Sequence, residues 1–331
     1  MPTAIPSIFR RFPMQYLLLG LAGLCSANAA LAQGFPSKPV RIVLPFGAGG
    51  VADITARVLA QKMTEGVGQQ VLVENRPSAG GIVAAEAVAK AEPDGHTLLL
   101  LSNGTAVSAS LFKQLPYDTV NSFAPISTVG FFGMVLLANP DAKIASIGEF
   151  LAFAKSNPGK ANIGTITIGS TQHLAGELFR SMSGTDAQMI PFKDTPSLIA
   201  ALRSSQIHLV VEFIAPVMGQ IKANAVKPIA VTAARRYGGL PAVATVAESG
   251  IAGYEVASWN ALSAPARTPR PVIDRLNREV ATAVAAAEVR DKLAALGVEA
   301  RASTPDELQK LLVSEIARWG AVIERARIPK Q

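Results

Sequence analysis

Apolar positions along this chain fall into two alternating rhythms, short unbroken runs and longer stretches apolar on one helical face. Val40–Pro45 is a run, and Val51, Ile54, Val58 and Leu59 follow at helical spacing. Val71-Leu72-Val73-Glu74 is the next run, an alanine-rich helix extends to about Lys90, and Thr97–Leu101 follows the Pro93-Asp94-Gly95 turn. From about Gly130 the rhythm restarts. Met134–Leu137 predicts a strand, Ile147–Lys155 a helix stopped by Asn157-Pro158-Gly159, and Ala161–Thr165 a strand leading into a helix with Leu174, Leu178 and Met182. Strands are expected at Gln188–Phe192, Ile207–Phe213 and Pro228–Thr232, with helices beginning near Pro196 and Val217. Alternation of this length predicts parallel βαβ units and an α/β fold.

Gly238 to about Gly253 reads as a connection, followed by helices over 271–286 and 288–296 that stop at Gly297. The final helix is the clearest, because Thr304-Pro305-Asp306-Glu307 is a capping box with proline at the first helical position. Leu308, Leu311, Leu312, Ile316, Trp319, Val322 and Ile323 form its apolar stripe, so Trp319 reads as core.

Two strand–glycine–helix corners carry the candidate chemistry. The first spans Val40 to Arg57 and turns through Phe46, Gly47, Ala48, Gly49 and Gly50. A helix that starts at glycines presents unpaired N–H groups at the positive end of its dipole, a geometry that favours an anion. Gly47-x-Gly49-x-x-Ala52 with Glu74 downstream also matches a dinucleotide fingerprint. Asp53 is either an acid complementing the dipole or an acceptor for a ligand group or water; the pattern leaves both open. The second corner is Gly169-Ser170-Thr171-Gln172-His173. Ser170 and His173 would suit a hydrolase, but the segment lacks the G-x-S-x-G elbow and a visible third member. His173 therefore reads as a capping or structural residue, and His96 and His208 as structural. The three histidines show no metal-ligand spacing. Lys193 follows a strand, and Glu212 ends the apolar run 207–211 at the carboxyl end of a strand, where open α/β sheets hold ligands.

The leader narrows the field. Arg10-Arg11, an apolar run from Tyr16 to Leu24, and Ala30-Leu31-Ala32 form the n-region, h-region and cleavage site of a secretory signal. Leu24 before Cys25 argues against a lipoprotein, and the residues around Arg10-Arg11 fit twin-arginine export poorly. Cleavage near Ala32 removes the sole cysteine and lowers the formal charge from +7 to +5, leaving an exported chain without thiol chemistry. Exported proteins rarely meet nicotinamide cofactors, which argues against the dinucleotide reading. No basic run is interleaved with aromatics, so nucleic acid is not an expected partner. A mature chain of this length favours two lobes.

The motifs together resemble the periplasmic substrate receptors of tripartite tricarboxylate transporters, the Bug or TctC-like receptors. The resemblance is carried by PSKPVRIVLPFGAGGVAD (36–53), VLVENRPSAGG (71–81), PDGHTLLL (93–100), LPYD (115–118), GSTQHLAGELF (169–179), LPAVATVAESG (240–250) and Gly253-Tyr254-Glu255. It implies a two-lobed periplasmic-binding-protein (type II, Venus-flytrap) fold with an interlobe ligand cleft. After a 1–32 signal peptide, residues 33–130 and 254–331 would form lobe 1 and 131–253 lobe 2. It implies a non-catalytic monomer without metal or cofactor that grips a small carboxylate and passes it to integral-membrane transporter subunits, or reports it to a membrane sensor. Carried over, the first grip is Phe46 to Asp53, with Asn103 and Thr105 lining that lobe. The second is Gly169, Ser170, Thr171 and His173, with Phe192, Lys193 and Glu212 reaching in. Ile166-Thr167-Ile168 is bulkier than the family pattern, Ser78 replaces a common glycine, Glu212 a shorter acid and Phe192 a common tyrosine. These departures imply a less polar pocket beyond the grip, and no tricarboxylate follows from the family name.

Overall fold

The computed structural model describes residues 34–331. The leader, its cleavage site and Cys25 lie outside the described residues. The expected strand–helix series is present: β1 (Val40–Leu44), α1 (Val51–Val67), β2 (Val71–Asn75), α2 (Ile82–Ala89) and β3 (Thr97–Ser102), and a helix the pattern does not predict, α3 (Asn103–Leu111), follows it. A long strand, β4 (Phe123–Ala138), leads to α4 (Ile147–Ser156), β5 (Asn162–Ile166), α5 (Thr171–Ser183), β6 (Gln188–Phe192), α6 (Thr195–Arg203), β7 (Leu209–Phe213), α7 (Ile214–Lys222) and β8 (Lys227–Val231). The chain then returns through β9 (Ala257–Pro265), α8 (Arg270–Ala285), α9 (Ala287–Ala295), β10 (Val298–Ala300) and α10 (Pro305–Arg325). The capping box at Thr304 forms as expected: Thr304 N–H donates to Glu307 Oε2 at 2.8 Å and Glu307 N–H to Thr304 Oγ1 at 3.2 Å.

Two lobes follow from how the strands pair. In the first sheet β2, β1 and β3 are parallel, and β9 and the first part of β4 continue it antiparallel. In the second, β6, β5 and β7 are parallel, and the last residues of β4 pair antiparallel with β7 and β8. The parallel βαβ units expected from the alternation are present in both sheets, and β9 and β4 join them antiparallel because they enter without a crossover helix. Both parallel sets share one order, with the first strand between the second and third: β2-β1-β3 and β6-β5-β7. Such an order reverses direction beside its first strand, and ligands of open α/β sheets sit at that switch point. The loops after β1 and β5 therefore occupy equivalent, ligand-competent positions.

Where the chain passes between the sheets, Thr232 ties three segments. Its N–H donates to Met134 O at 2.9 Å, its hydroxyl donates to Val256 O at 2.7 Å, and Met134 N–H donates to that hydroxyl at 3.0 Å. The largest apolar cluster runs through both lobes, joining Leu99, Leu136, Phe150, Phe179, Trp259 and Trp319. A second cluster fills the first lobe between its sheet, α1 and α8. A third packs α6 and α7 on the second sheet. No helix among the described residues is long and apolar enough to cross a membrane.

Candidate functional site

The first corner has no side-chain cap of its own. Gly50 stands at the N-cap of α1 in extended conformation, so the helix start depends on what lies behind it. Asp53, in the first turn and 3% exposed, supplies this. Its Oδ2 accepts from Gly49 N–H at 2.9 Å, Arg57 Nε donates to Oδ1 and Oδ2 at 3.1 and 3.0 Å, and Asn75 Nδ2 donates to Oδ1 at 2.9 Å. Asn75 also donates to Phe46 O at 3.0 Å, so β2 holds both ends of the loop. Burial pushes the Asp53 pKa up, but hydrogen bonds from Arg57, Gly49 and Asn75 and the Arg57 charge outweigh it and bring it down to about 2. Of the two readings of Asp53, the geometry is that of a residue bracing the loop from beneath. Gly47, Ala48, Gly49 and Gly50 are exposed, and Phe46 is half-buried against the first-lobe core. The first-turn N–H groups of α1 have no intrahelical acceptor and define the positive end of a 17-residue helix.

The second corner is built differently. Ser170 caps α5, its hydroxyl accepting from His173 N–H at 3.1 Å. That use of the hydroxyl, with Gly169 N–H directed at His173 Nδ1 at 3.5 Å, is a helix cap and not a nucleophile–base pair. Gly169 has φ +83°, and a Cβ there would lie 2.5 Å from Leu111 Cδ2, so a glycine is required. His173 is buried, and its pKa is lowered to about 4 by burial and by the Arg180 charge, which keeps the imidazole neutral. Its Nε2 lies 3.9 Å from Glu177 Oε1, and Arg180 pairs with Glu177 Oε2 at 2.6 Å.

Glu212 is the counterpart of Asp53. It is 1% exposed, and its oxygens accept from Gln172 Nε2 at 2.8 Å, Thr195 Oγ1 at 2.8 Å and Phe213 N–H at 2.7 Å. Burial raises its pKa against these bonds. It fastens α5 to β7 and α6 from behind. Phe192 packs half-buried on the second-lobe core, whereas Lys193 is exposed at the end of β6 and makes no hydrogen bond or ion pair among the described residues. Ile168 is 51% exposed beside the second loop, in keeping with a less polar surface there.

Asn103 joins the start of α3 to the second corner. It is wholly buried at the start of α3; its Nδ2 donates to Thr171 Oγ1 at 3.1 Å, and its Oδ1 accepts from Trp319 Nε1 at 2.7 Å. Trp319 also reaches Glu315 Oε2 at 2.8 Å, so the C-terminal helix braces this bridge. Thr105 does not join it: its hydroxyl accepts from Ser102 N–H at 3.4 Å and closes the first turn of α3. The motif reading overlooked Arg57, Asn75, Gln172 and Thr195. Only Arg57 had a local signal, four residues after Asp53 on one helix face. His96 and His208 are structural: Ser37 N–H donates to His96 Nε2 at 3.2 Å, and His208 Nδ1 lies 2.8 Å from Asn162 Oδ1. No cluster of metal-ligating side chains occurs among the described residues.

Comparison with known proteins places this geometry in a family. The model of the TctC family, described as the tripartite tricarboxylate transporter family receptor, matches residues 55–328. A protein encoded in the tcbD-tcbE intergenic region of Pseudomonas sp. strain P51 is 34% identical over 316 residues, covering 94% of each chain. The periplasmic binding protein BugD superposes with a TM-score of 0.75 at 33% identity, covering 90% of this chain and all of its own. MatC of Rhodopseudomonas palustris with bound malate gives 0.73 at 31% identity, covering 87% and 100% of the two chains. An R. palustris protein with adipate gives 0.77 at 30%, covering 89% and 99%. The chain belongs to the receptor family of the tripartite tricarboxylate transporters, whose members bind solutes and are not enzymes.

Proposed function

We propose that this protein is a periplasmic receptor that closes two lobes around a small organic carboxylate and delivers it to integral-membrane subunits of a tripartite tricarboxylate-type transporter. The observation that carries the reading is the pair of strand–loop–helix corners at equivalent switch points, each braced from behind by a buried acid, Asp53 in the first and Glu212 in the second. Lobe 1 comprises 33–130 and 254–331 and lobe 2 131–253, after a signal peptide cleaved near Ala32; the mature receptor is a monomer. Backbone N–H groups of Gly47 to Gly50 and of Gly169 to Thr171, with the Phe46 and Phe192 rings as walls, grip the carboxylate. Each charge-assisted bond contributes about 1.5–3 kcal/mol. Asp53 holds the first loop in shape, Glu212, Asn103, Ser170 and His173 hold the second, Thr105 lines the first lobe at the start of α3, and Lys193 supplies a cation at the rim. Lobe closure then excludes water, as in other hinge-closing receptors. Relatives solved with malate and adipate support a small carboxylate, and the exposed Ile168 argues against a highly charged tricarboxylate.

The test is mass spectrometry of the small molecule released by denaturing protein taken from a native periplasm. A stoichiometric carboxylic acid that raises the melting temperature when added back is the expected result. A nucleotide in its place would overturn the reading and return the first loop to the dinucleotide binders.

A further inference from the structure

A buried carboxamide with nothing to bond lies at the end of the first sheet from which the loop after β1 rises. Asn260 is 1% exposed, and neither its Oδ1 nor its Nδ2 has a hydrogen-bond partner among the described residues. Alternation along β9 sends Trp259 and Ala261 into the cluster shared with α10, and Leu262 to the opposite face, against β1 and α1. Asn260 shares the face of Leu262. Its cross-strand neighbours are Ser102, the last residue of β3, and Gly130 of β4. Phe46, in the first grip, packs on the cluster beneath this same face.

Other carboxamides around the site behave differently. Asn75 braces the loop, and Asn103 joins Thr171 to Trp319 with both ends of its amide. A buried amide left unbonded is destabilising, whereas an apolar side chain of the same shape would be neutral or better. Groups kept at such a disadvantage cluster where function uses them. Nothing lies within 4 Å of the Cβ positions of Gly47, Gly49 or Gly50, so no side chain is packed over this part of the loop above that end of the sheet.

We propose that Asn260 is a specificity-determining residue of the first lobe, whose carboxamide receives the hydroxyl of an α-hydroxy carboxylate gripped by the loop after β1. This rests on the receptor reading above. The chemistry selects the hydroxyl. An amide offers one donor group and one acceptor side by side, and a hydroxyl answers both. A second carboxylate would satisfy Nδ2 while setting an anionic oxygen against Oδ1.

Malate and succinate differ by that hydroxyl, and titration calorimetry of both against wild type and Asn260→Leu isolates its contribution. Wild type should favour malate by roughly ten-fold or more, the loss expected when a buried polar group is left unpaired. Asn260→Leu should bind the two acids alike while melting no lower than wild type. Should leucine prevent folding, Asn260→Ala removes the amide without added bulk and should abolish the preference likewise. A malate preference that survives the substitution, or a wild type that does not distinguish the acids or binds neither, overturns the assignment. The copurification experiment decides the receptor reading independently.

Discussion

Replacing Asp53 by asparagine changes one atom of the loop support and removes its charge. The carboxylate accepts from Gly49 N–H, Asn75 and both edges of its contact with Arg57. An asparagine keeps one oxygen but turns an NH2 group toward a donor. Two charge-assisted bonds at about 1.5–3 kcal/mol each are weakened, but Arg57 is half-exposed and regains water. The net expectation is about 2 kcal/mol of stability, or about 3 °C in melting temperature for one cooperative unit of about 300 residues. Because the bonds fix the positions of Phe46 and Gly49, the carboxylate affinity should also fall about ten-fold, roughly one misplaced hydrogen bond. The pH profile supplies a second signature. A folded pKa near 2 against an ordinary value of 3.8 means that the contribution of Asp53 is complete above about pH 4 and is lost as pH falls toward 2. Wild type should therefore lose stability over that interval faster than Asp53→Asn, and the two should converge at its acid end. Thermal melts from pH 2 to 7, with calorimetric titration of the copurified acid at pH 7, measure all three. An unchanged melting temperature would show that the network does not hold the loop. A lowered one with unchanged affinity would show that the loop is not the grip.

Gly169→Ala introduces a Cβ at φ +83° and 2.5 Å from Leu111 Cδ2, so about 2–4 kcal/mol of destabilisation should appear in denaturant unfolding. His173→Gln should flatten part of the pH dependence between 6.5 and 4. A buried histidine with its pKa lowered to about 4 withholds up to about 3 kcal/mol as pH falls through that window, since the unfolded chain takes the proton first. The raised pKa values of Glu177 and Glu212 act in the opposite sense, so the quantity to compare is the wild-type-minus-variant difference across the window.

Sequence reading succeeded where local chemistry and tertiary structure agree. Glycine corners, the Thr304 capping box and the stripe of α10 each state their own conformation. It failed where tertiary contacts decide. The first half of β4 holds Pro125, Gly130, Ser127 and Thr128, a poor strand pattern. Its buried hydroxyls are satisfied at long range, Thr128 Oγ1 donating to Arg301 O at 2.6 Å and Ser303 N–H donating to Ser127 Oγ at 2.9 Å. β9 was invisible because residues 258–265 are all buried, and no polar–apolar alternation survives. α3, with the weak helical sequence NGTAVSASL, forms because α10 packs along it. At the site, the loops themselves were legible. Asp53 and Glu212 were visible as acids but not as braces, because Asn75 and Thr195 approach them from other elements.

The single long strand that serves both sheets also governs how the molecule comes apart. β4 is bound by β9 and β10 along one half and by β7 and β8 along the other, and β9 is made only after the chain has completed the second lobe. Neither lobe can lose its register without releasing a strand on which its neighbour depends, and the cluster around Trp319 and Phe179 spans the same boundary. Folding is thus expected to be one cooperative event across both lobes, dominated by contacts distant in sequence and correspondingly slow. A nascent chain released before about residue 265 holds half of β4 unpaired. A chain of this design benefits from folding only when its whole length is available.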